Sequence, residues 1–380
     1  MRRRLLLLAI VTLLSLLLIR LLLGPIRSGP RLASAVLRFA DGSWPQAQLV
    51  DASDDLTALS QGYRTAESRP AGLPNQEPPL YELELQWADG QNLRLHLTHD
   101  QRIFDLAAGQ ELFLDRLARE TLDKYVLQLR EQRFGELLHW KEASQLVGNR
   151  QIFTIIDLET GLSWRTQRRA GSRHADIQPL TKEDTAIMKA AYGGAWSWDR
   201  RAVIVEAGGR RIAASINGMP HGSGALVNNF PGHHCLHFLS SMTHGGRNAD
   251  PVHQLMVHKA AGLLHEYLDE LEPALLQRTL LEMAGQGDVA VVHLGIINDR
   301  PLDNSPAQQV AEIRDIRIWR SQAGEARDGE LSGIYEVSVF YKGDVSQYRT
   351  SVTVRSRYIG GLGKWLVEPD FIDQLMAARR

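Results

Sequence analysis

The sequence predicts a multidomain α+β protein led by a transmembrane helix, and three observations carry that expectation. A basic start, Met1 to Arg4, precedes an apolar run from Leu5 to Leu23. Two separate blocks alternate apolar and polar residues in the manner of half-buried strands. A third block opens on a helical segment and continues mainly as strand-like stretches. The 380 residues are 44% hydrophobic and 23% charged, ordinary for folded protein, so no large disordered tract is expected. With a formal net charge of -1 and no Lys/Arg tract beyond the N-terminus, nothing draws the chain to nucleic acid.

Residues 1–24 are expected to form the membrane anchor, because Leu5 to Leu23 matches the roughly 20 residues a bilayer-crossing helix needs. Arg20, near its far end, can snorkel to the interface. The basic start should stay in the cytoplasm, leaving a single-pass cell-membrane protein with the bulk of its chain extracytoplasmic. The competing reading is a cleaved signal peptide, with Ala33-Ser34-Ala35 as a cleavage-like triplet. Residues 25–34 read as a linker. Residues 35–140 read as a small α+β domain. Its strands are expected at 35–39, 47–50, 80–87 and 92–97, with Asp89-Gly90 turning the last hairpin and 67–79 a Pro-bearing loop. Leu112, Phe113, Leu117, Leu122, Tyr125, Val126 and Leu129 give one long amphipathic helix.

Residues 151–264 read as a β-rich domain. Hairpins are expected at 152–156 with 162–166, and at 202–206 with 211–215. Thr181 to Asp184 resembles a capping box opening a short helix. Asp250-Pro251 starts another helix, with Val252, Leu255 and Met256 on its buried face. Residues 274–380 form the third unit: a helix at 274–283, then strands at 289–297, 313–319, 334–341, 348–355 and 364–367. This order resembles the cystatin-like and NTF2-like α+β folds, a likeness of pattern that carries no function.

The central region holds the chain's single cysteine, in Gly232-His233-His234-Cys235-Leu236-His237, with His221-Gly222 upstream. A lone cysteine outside the cytoplasm cannot pair within its chain. It is a buried core residue, a metal ligand or a reactive thiol. A thiol nucleophile needs a neighbouring base and a pKa below the free value of about 8.5. His221 or His233 can supply the base. The N–H groups of His234 and Cys235, on a tight turn, can bind an oxyanion.

These residues resemble the L,D-transpeptidases that cross-link peptidoglycan, whose motif places a histidine followed by Gly or Ser before Ser/Thr-His-Gly-Cys. His221-Gly222 matches the first part. Gly232 to Cys235 matches the second, with Gly for Ser/Thr and His for Gly, and His237 falls where the family often has Arg. The gap from His221 to Cys235 is shorter than the family's. The resemblance implies an L,D-transpeptidase-like catalytic domain at 151–264, a cell-wall transferase with Cys235 as nucleophile, His221 as base and His233 as a structural partner. Gly222, His234, His237, His174 and Asp176 would line the substrate and oxyanion sites. Peptidoglycan stem peptides would be the partners and a thioester the intermediate, in transfer or carboxypeptidase chemistry, with no cofactor.

Two alternatives remain open. One is a non-catalytic cell-envelope binding protein with a degenerate site. The other is a zinc-dependent hydrolase, since His174, Asp176, His221, His233, His237 and His244 offer ligands, although no His-Glu-x-x-His or paired Cys-x-x-Cys spacing exists. Trp196 and Trp198 read as packing residues, Arg200-Arg201 and Arg210-Arg211 as solvated hairpin ends, and Asn228 as a loop-shaping residue.

Overall fold

A computed structural model describes residues 30–40, 46–71, 79–243, 248–298 and 300–379. The described residues form an α+β structure built on three sheets, one of them closed into a barrel. Among the described residues no helix is long and apolar enough to cross a membrane. The expected fold class is corrected accordingly: the α+β sheets and barrel define it, and no membrane-spanning helix is among the described residues. The segment 5–23 on which that helix was placed lies outside the described residues.

The first sheet contains β1 (Leu32–Phe39), β2 (Gln48–Val50), β3 (Glu67–Pro70), β4 (Tyr81–Trp87), β5 (Asn92–Leu97), β6 (Ile103–Asp105) and β7 (Gln110–Phe113), in the order β2-β1-β4-β5-β6-β7-β3. Alternation sends Leu83, Leu85 and Trp87 to one buried face. Helices α1 (Ser53–Thr65) and α2 (Arg116–Arg133) cover that face through Leu56 and Leu59, and through Leu122, Tyr125, Val126 and Leu129. Leu112 and Phe113 end β7 rather than starting α2, and Glu67–Pro70 is an edge strand rather than loop.

After the short helix α3 (Trp140–Leu146), the chain builds the barrel from β8 (Ile152–Asp157), β9 (Ser163–Ala170), β10 (Ala175–Pro179), β11 (Arg200–Ala207), β12 (Arg210–Asn217) and β13 (His234–His237), with α4 (Lys182–Ala191) between β10 and β11. The closed order is β10-β13-β12-β11-β8-β9. Thr181 does cap α4: its hydroxyl accepts from the Asp184 N–H, and the Asp184 carboxylate reaches back. Inward residues such as Ile155, Trp164, Ile177, Val205, Ile216 and Leu236 fill the interior, so the barrel is a packed core and not a channel. The short strands β10 and β13 were not expected. Their sequences, ADIQP and HCLH, alternate too weakly to announce themselves, and only barrel closure makes them strands.

Helices α5 (Pro251–Ala260), α6 (Leu264–Glu270), α7 (Pro273–Gly285) and α8 (Val289–Gly295) follow. The last sheet is the antiparallel meander β14 (Ile313–Ala323), β15 (Glu330–Tyr341), β16 (Tyr348–Ile359) and β17 (Lys364–Val367), closed by α9 (Asp370–Ala377). The strand expected at 289–297 is the helix α8 instead. Asp288 caps it, accepting from the Val291 N–H, and Val291 and Val292 are buried against α7 and the sheet. Tertiary packing here overrides a β-branched run. One hydrophobic core joins α5 and the outer barrel residues Ala202, Ile204 and Ala213 to Leu280, Val337 and Phe371 of the C-terminal part.

Candidate active site

Strand alternation sorts the central motif onto two faces. Residues 234 and 236 point into the barrel, and 235 and 237 point out. On that outer face Cys235 lies opposite Asp176 of β10, and His237 lies opposite Ser215 of β12. Continuing the same registers forms two cross-strand rows, Asn217–Cys235–Asp176 and Ser215–His237–His174. The site is therefore built on the barrel's wall, where α5 and the C-terminal sheet approach it.

His221 reaches the sulfur from the loop joining β12 to β13. Its Nδ1–H donates to the Met219 carbonyl at 2.9 Å, and a carbonyl only accepts, so Nδ1 carries the ring proton. Nε2 is then the nitrogen left to accept when the ring carries one proton, and it faces Cys235 Sγ at 3.4 Å. This is the orientation a general base requires. His221 and His233 exchange two backbone hydrogen bonds of 2.9 Å, which lock the loop's ends together. The pairing depends on glycine. A Cβ on Gly232 (φ 127°) would sit 2.4 Å from the His221 carbonyl oxygen, and one on Gly222 (φ 61°) would sit 2.4 Å from His233 Cε1. Gln178 secures the same loop, donating to the Gly232 carbonyl at 2.6 Å and accepting from the Ala225 N–H at 2.9 Å. Asn228 accepts from the Phe230 N–H at 3.0 Å and donates to the Pro179 carbonyl, a loop-shaping role.

The expected pKa of the thiol is corrected. Burial, and then the nearby Asp176 carboxylate, push Cys235 up to about 12, with a hydrogen bond from the Asn217 side chain offsetting part of the rise. At rest the sulfur is a thiol. The tight turn expected at His234–Cys235 is also corrected: both residues lie within β13, which is paired on both sides. The His234 ring faces the barrel interior, donates Nδ1–H to the Asn217 carbonyl at 2.9 Å, and is driven by burial down to about 3. Its bulk leaves the sulfur's face uncrowded.

The remaining histidines form a stack. His237 lies 3.8 Å from His253 and 4.8 Å from His174, centroid to centroid, nearly parallel to both. Burial holds His237 and His253 well below the ordinary imidazole value, so both are neutral. His174 donates Nδ1–H to the Met242 carbonyl at 2.7 Å and meets Asp176 Oδ1 through Nε2 at 3.1 Å. His233 Nε2 stands 3.8 Å from the same oxygen. Asp176 thus anchors two imidazoles behind the Cys235 sulfur.

No protein-family model matches this chain, and no curated protein matches it. The functional reading accordingly rests on the geometry of the site.

A cavity of about 580 Å³ opens over Cys235 and His221, a volume suited to a small ligand. Trp198, half exposed, lies over the His221 ring at 5.3 Å and forms part of its wall, whereas Trp196 packs on Phe230. Of the arginine pairs, Arg210-Arg211 does lie at a hairpin end, with Arg210 exposed, whereas Arg200-Arg201 is not solvated. Arg201 makes a bidentate pair with the fully buried Asp157, at 2.7 Å for both bonds, and Arg200 binds Asp250 at 2.7 Å. Arg210 pairs with Glu136 and Arg211 with Glu206. Sequence reasoning missed Asn217, Ser215, His253 and the residues Asp315 and Arg317 of β14, all of which border this site. The period of β12 already placed Ser215 and Asn217 on one face. Nothing local marked Arg317.

The donor set also bears on metal. One atom each of His174, Cys235 and His237 lies within 4.8 Å of the others, and His237 Nδ1 is buried without a hydrogen-bond partner.

Proposed function

We propose that this protein is a cysteine-dependent acyl transferase of the L,D-transpeptidase type, acting outside the cytoplasm on peptidoglycan stem peptides. The observation that carries the reading is the Cys235–His221 pair, with His221 held by the Met219 carbonyl so that Nε2 faces the sulfur. The basic start and apolar run of the sequence support export.

In the proposed reaction Sγ attacks the carbonyl carbon of a peptide bond while its proton passes to His221 Nε2. The tetrahedral intermediate collapses by breaking the C–N bond, and the departing amine takes the proton from His221. The thioester is then attacked by an acceptor amine or by water, whose proton returns through His221, and the thiol is released. His233 holds the loop that carries His221. Asp176, His174 and His237 form the wall behind the sulfur.

A test is incubation with a tetrapeptide stem or a carbapenem, followed by intact mass measurement. The wild type is expected to gain one acyl adduct, and Cys235→Ala to gain none while remaining folded. His221→Ala should slow acylation by about 100-fold or more, the scale of a lost general base. A thiol that reacts only after unfolding would leave the non-catalytic binding protein as the better reading.

A second reading is favoured by the convergence of His174, Cys235 and His237, a zinc-dependent hydrolase. It ranks behind thiol chemistry because both His174 nitrogens already face acceptors, so metal binding requires one of those bonds to break. Stoichiometric zinc that survives dialysis, with activity lost on its removal, would reverse the order.

A further inference from the structure

We propose that Arg317 makes the Cys235 cavity a receptor for a free carboxylate on the acyl donor, an inference that rests on the thiol-transfer reading above. The wall of the cavity facing the barrel comes from the C-terminal sheet, where Asp315 and Arg317 of β14 line the same space as Cys235. The register of β14 against β15 shifts twice, between Ile313 and Asp315 and between Ile318 and Arg320. Such irregularities re-aim side chains. Asp315 and Arg317, two apart on the stretch between the shifts, share the face that meets the barrel.

The Arg317 guanidinium is contacted on one edge and one face. Its Nε donates to Asp315 Oδ2 at 3.1 Å, and its carbon stands 4.9 Å over the Phe340 ring. Its Nη1 and Nη2 make no hydrogen bond among the described residues, so the end of the fork that grips a carboxylate is available. The cavity's other arginine, Arg200, is occupied by Asp250. The wall itself is firmly docked. Gly285 at the end of α7 lets the helix approach β14 so closely that a Cβ would lie 2.8 Å from the Ile316 nitrogen. The next residue, Gln286, accepts from the Arg200 N–H of the barrel at 2.7 Å. One helix end therefore fixes the Arg317 strand and the barrel strand together. A peptide whose reacting carbonyl lies at Cys235 would present a nearby carboxylate to Arg317.

The test compares alkylation of Cys235 by iodoacetate and iodoacetamide, reagents of like size that differ in charge. The readout is the ratio of their rates, and the single cysteine makes the product mass unambiguous. Relative to the urea-unfolded chain, the native protein should favour iodoacetate on the order of tenfold, the scale of one charge-assisted hydrogen bond. Arg317→Ala should bring the ratio to the unfolded value, and Arg317→Lys, which keeps charge without the fork, should give an intermediate. A ratio that Arg317→Ala does not move overturns the proposal. If native Cys235 reacts with neither reagent, the thiol-transfer reading fails separately, and thermal shift decides the subsite. N-acetyl-alanine, but not its amide, should stabilise the wild type and not Arg317→Ala; equal shifts in both proteins overturn it.

Discussion

Under the proposed function, a thiol held near 12 beside an imidazole whose Nε2 faces it reacts by a different route from a resting thiolate. Its proton leaves during attack, so reactivity depends on His221 and on the dry surroundings of the sulfur. A free thiol reaches its full rate above pH of about 8.5. In the His221→Ala variant, alkylation of Cys235 should instead keep rising past pH 10, and a plateau near 8.5 would contradict the burial argument. The neighbouring histidines predict a stability profile. His234, His237 and His253 have folded values lowered from 6.5, so the unfolded chain binds the extra protons first. Stability from these groups is complete above pH of about 6.5 and is lost as pH falls toward the folded values, with His234 at about 3. Each group contributes a slope of about 1.4 kcal/mol per pH unit while only the unfolded form charges. His99 opposes them: burial lowers it, but Asp269 prevails and raises it. Urea unfolding at pH 7, 6, 5 and 4 should show a steadily falling midpoint, and a flat profile would mean the stack is already charged.

At the scale of elements, the two bridge glycines make unequal demands. Gly232→Ala drives a methyl into backbone, the His221 carbonyl, whereas Gly222→Ala meets only the edge of the His233 ring. Both also pay for a positive φ, about 1–2 kcal/mol. Gly232→Ala should therefore cost more stability and more Cys235 reactivity than Gly222→Ala, by melting temperature and adduct yield; the reverse order would place the constraint elsewhere. What the sequence made legible follows from the same local physics. The hairpins β8–β9 and β11–β12 and the Thr181 cap were readable because their signals are confined to adjacent residues. The pairing of His221 with Cys235 was readable through a resemblance of motif. The helix α1 carried a signal that went unread, Leu56, Leu59 and Tyr63 behind Asp54 and Asp55. The strands β10 and β13 were not readable, because their pairing is decided by barrel neighbours distant in sequence. The thiol's raised pKa was equally hidden, since no local pattern reports that Cys235 is 5% exposed.

At the scale of the whole molecule, the barrel and the C-terminal sheet share a core, so damage to one should be felt in the other. Leu280→Ala, on α7, should cost about 2–5 kcal/mol as a buried large-to-small change. Hydrogen exchange should then accelerate at the Ala202 and Ile204 amides of β11 as well as along β15. Acceleration confined to β15 would mean the two parts unfold independently. The two-walled cavity has a further consequence, in the order of synthesis. Cys235 lies on one wall, and the other wall includes Arg317, which leaves the ribosome much later. An emerging chain thus carries Cys235 and His221 before the wall that faces them. The two-walled cavity exists only once the C-terminal sheet has docked, so under the proposed function any selectivity for a ligand arises with that docking and not with the folding of the barrel.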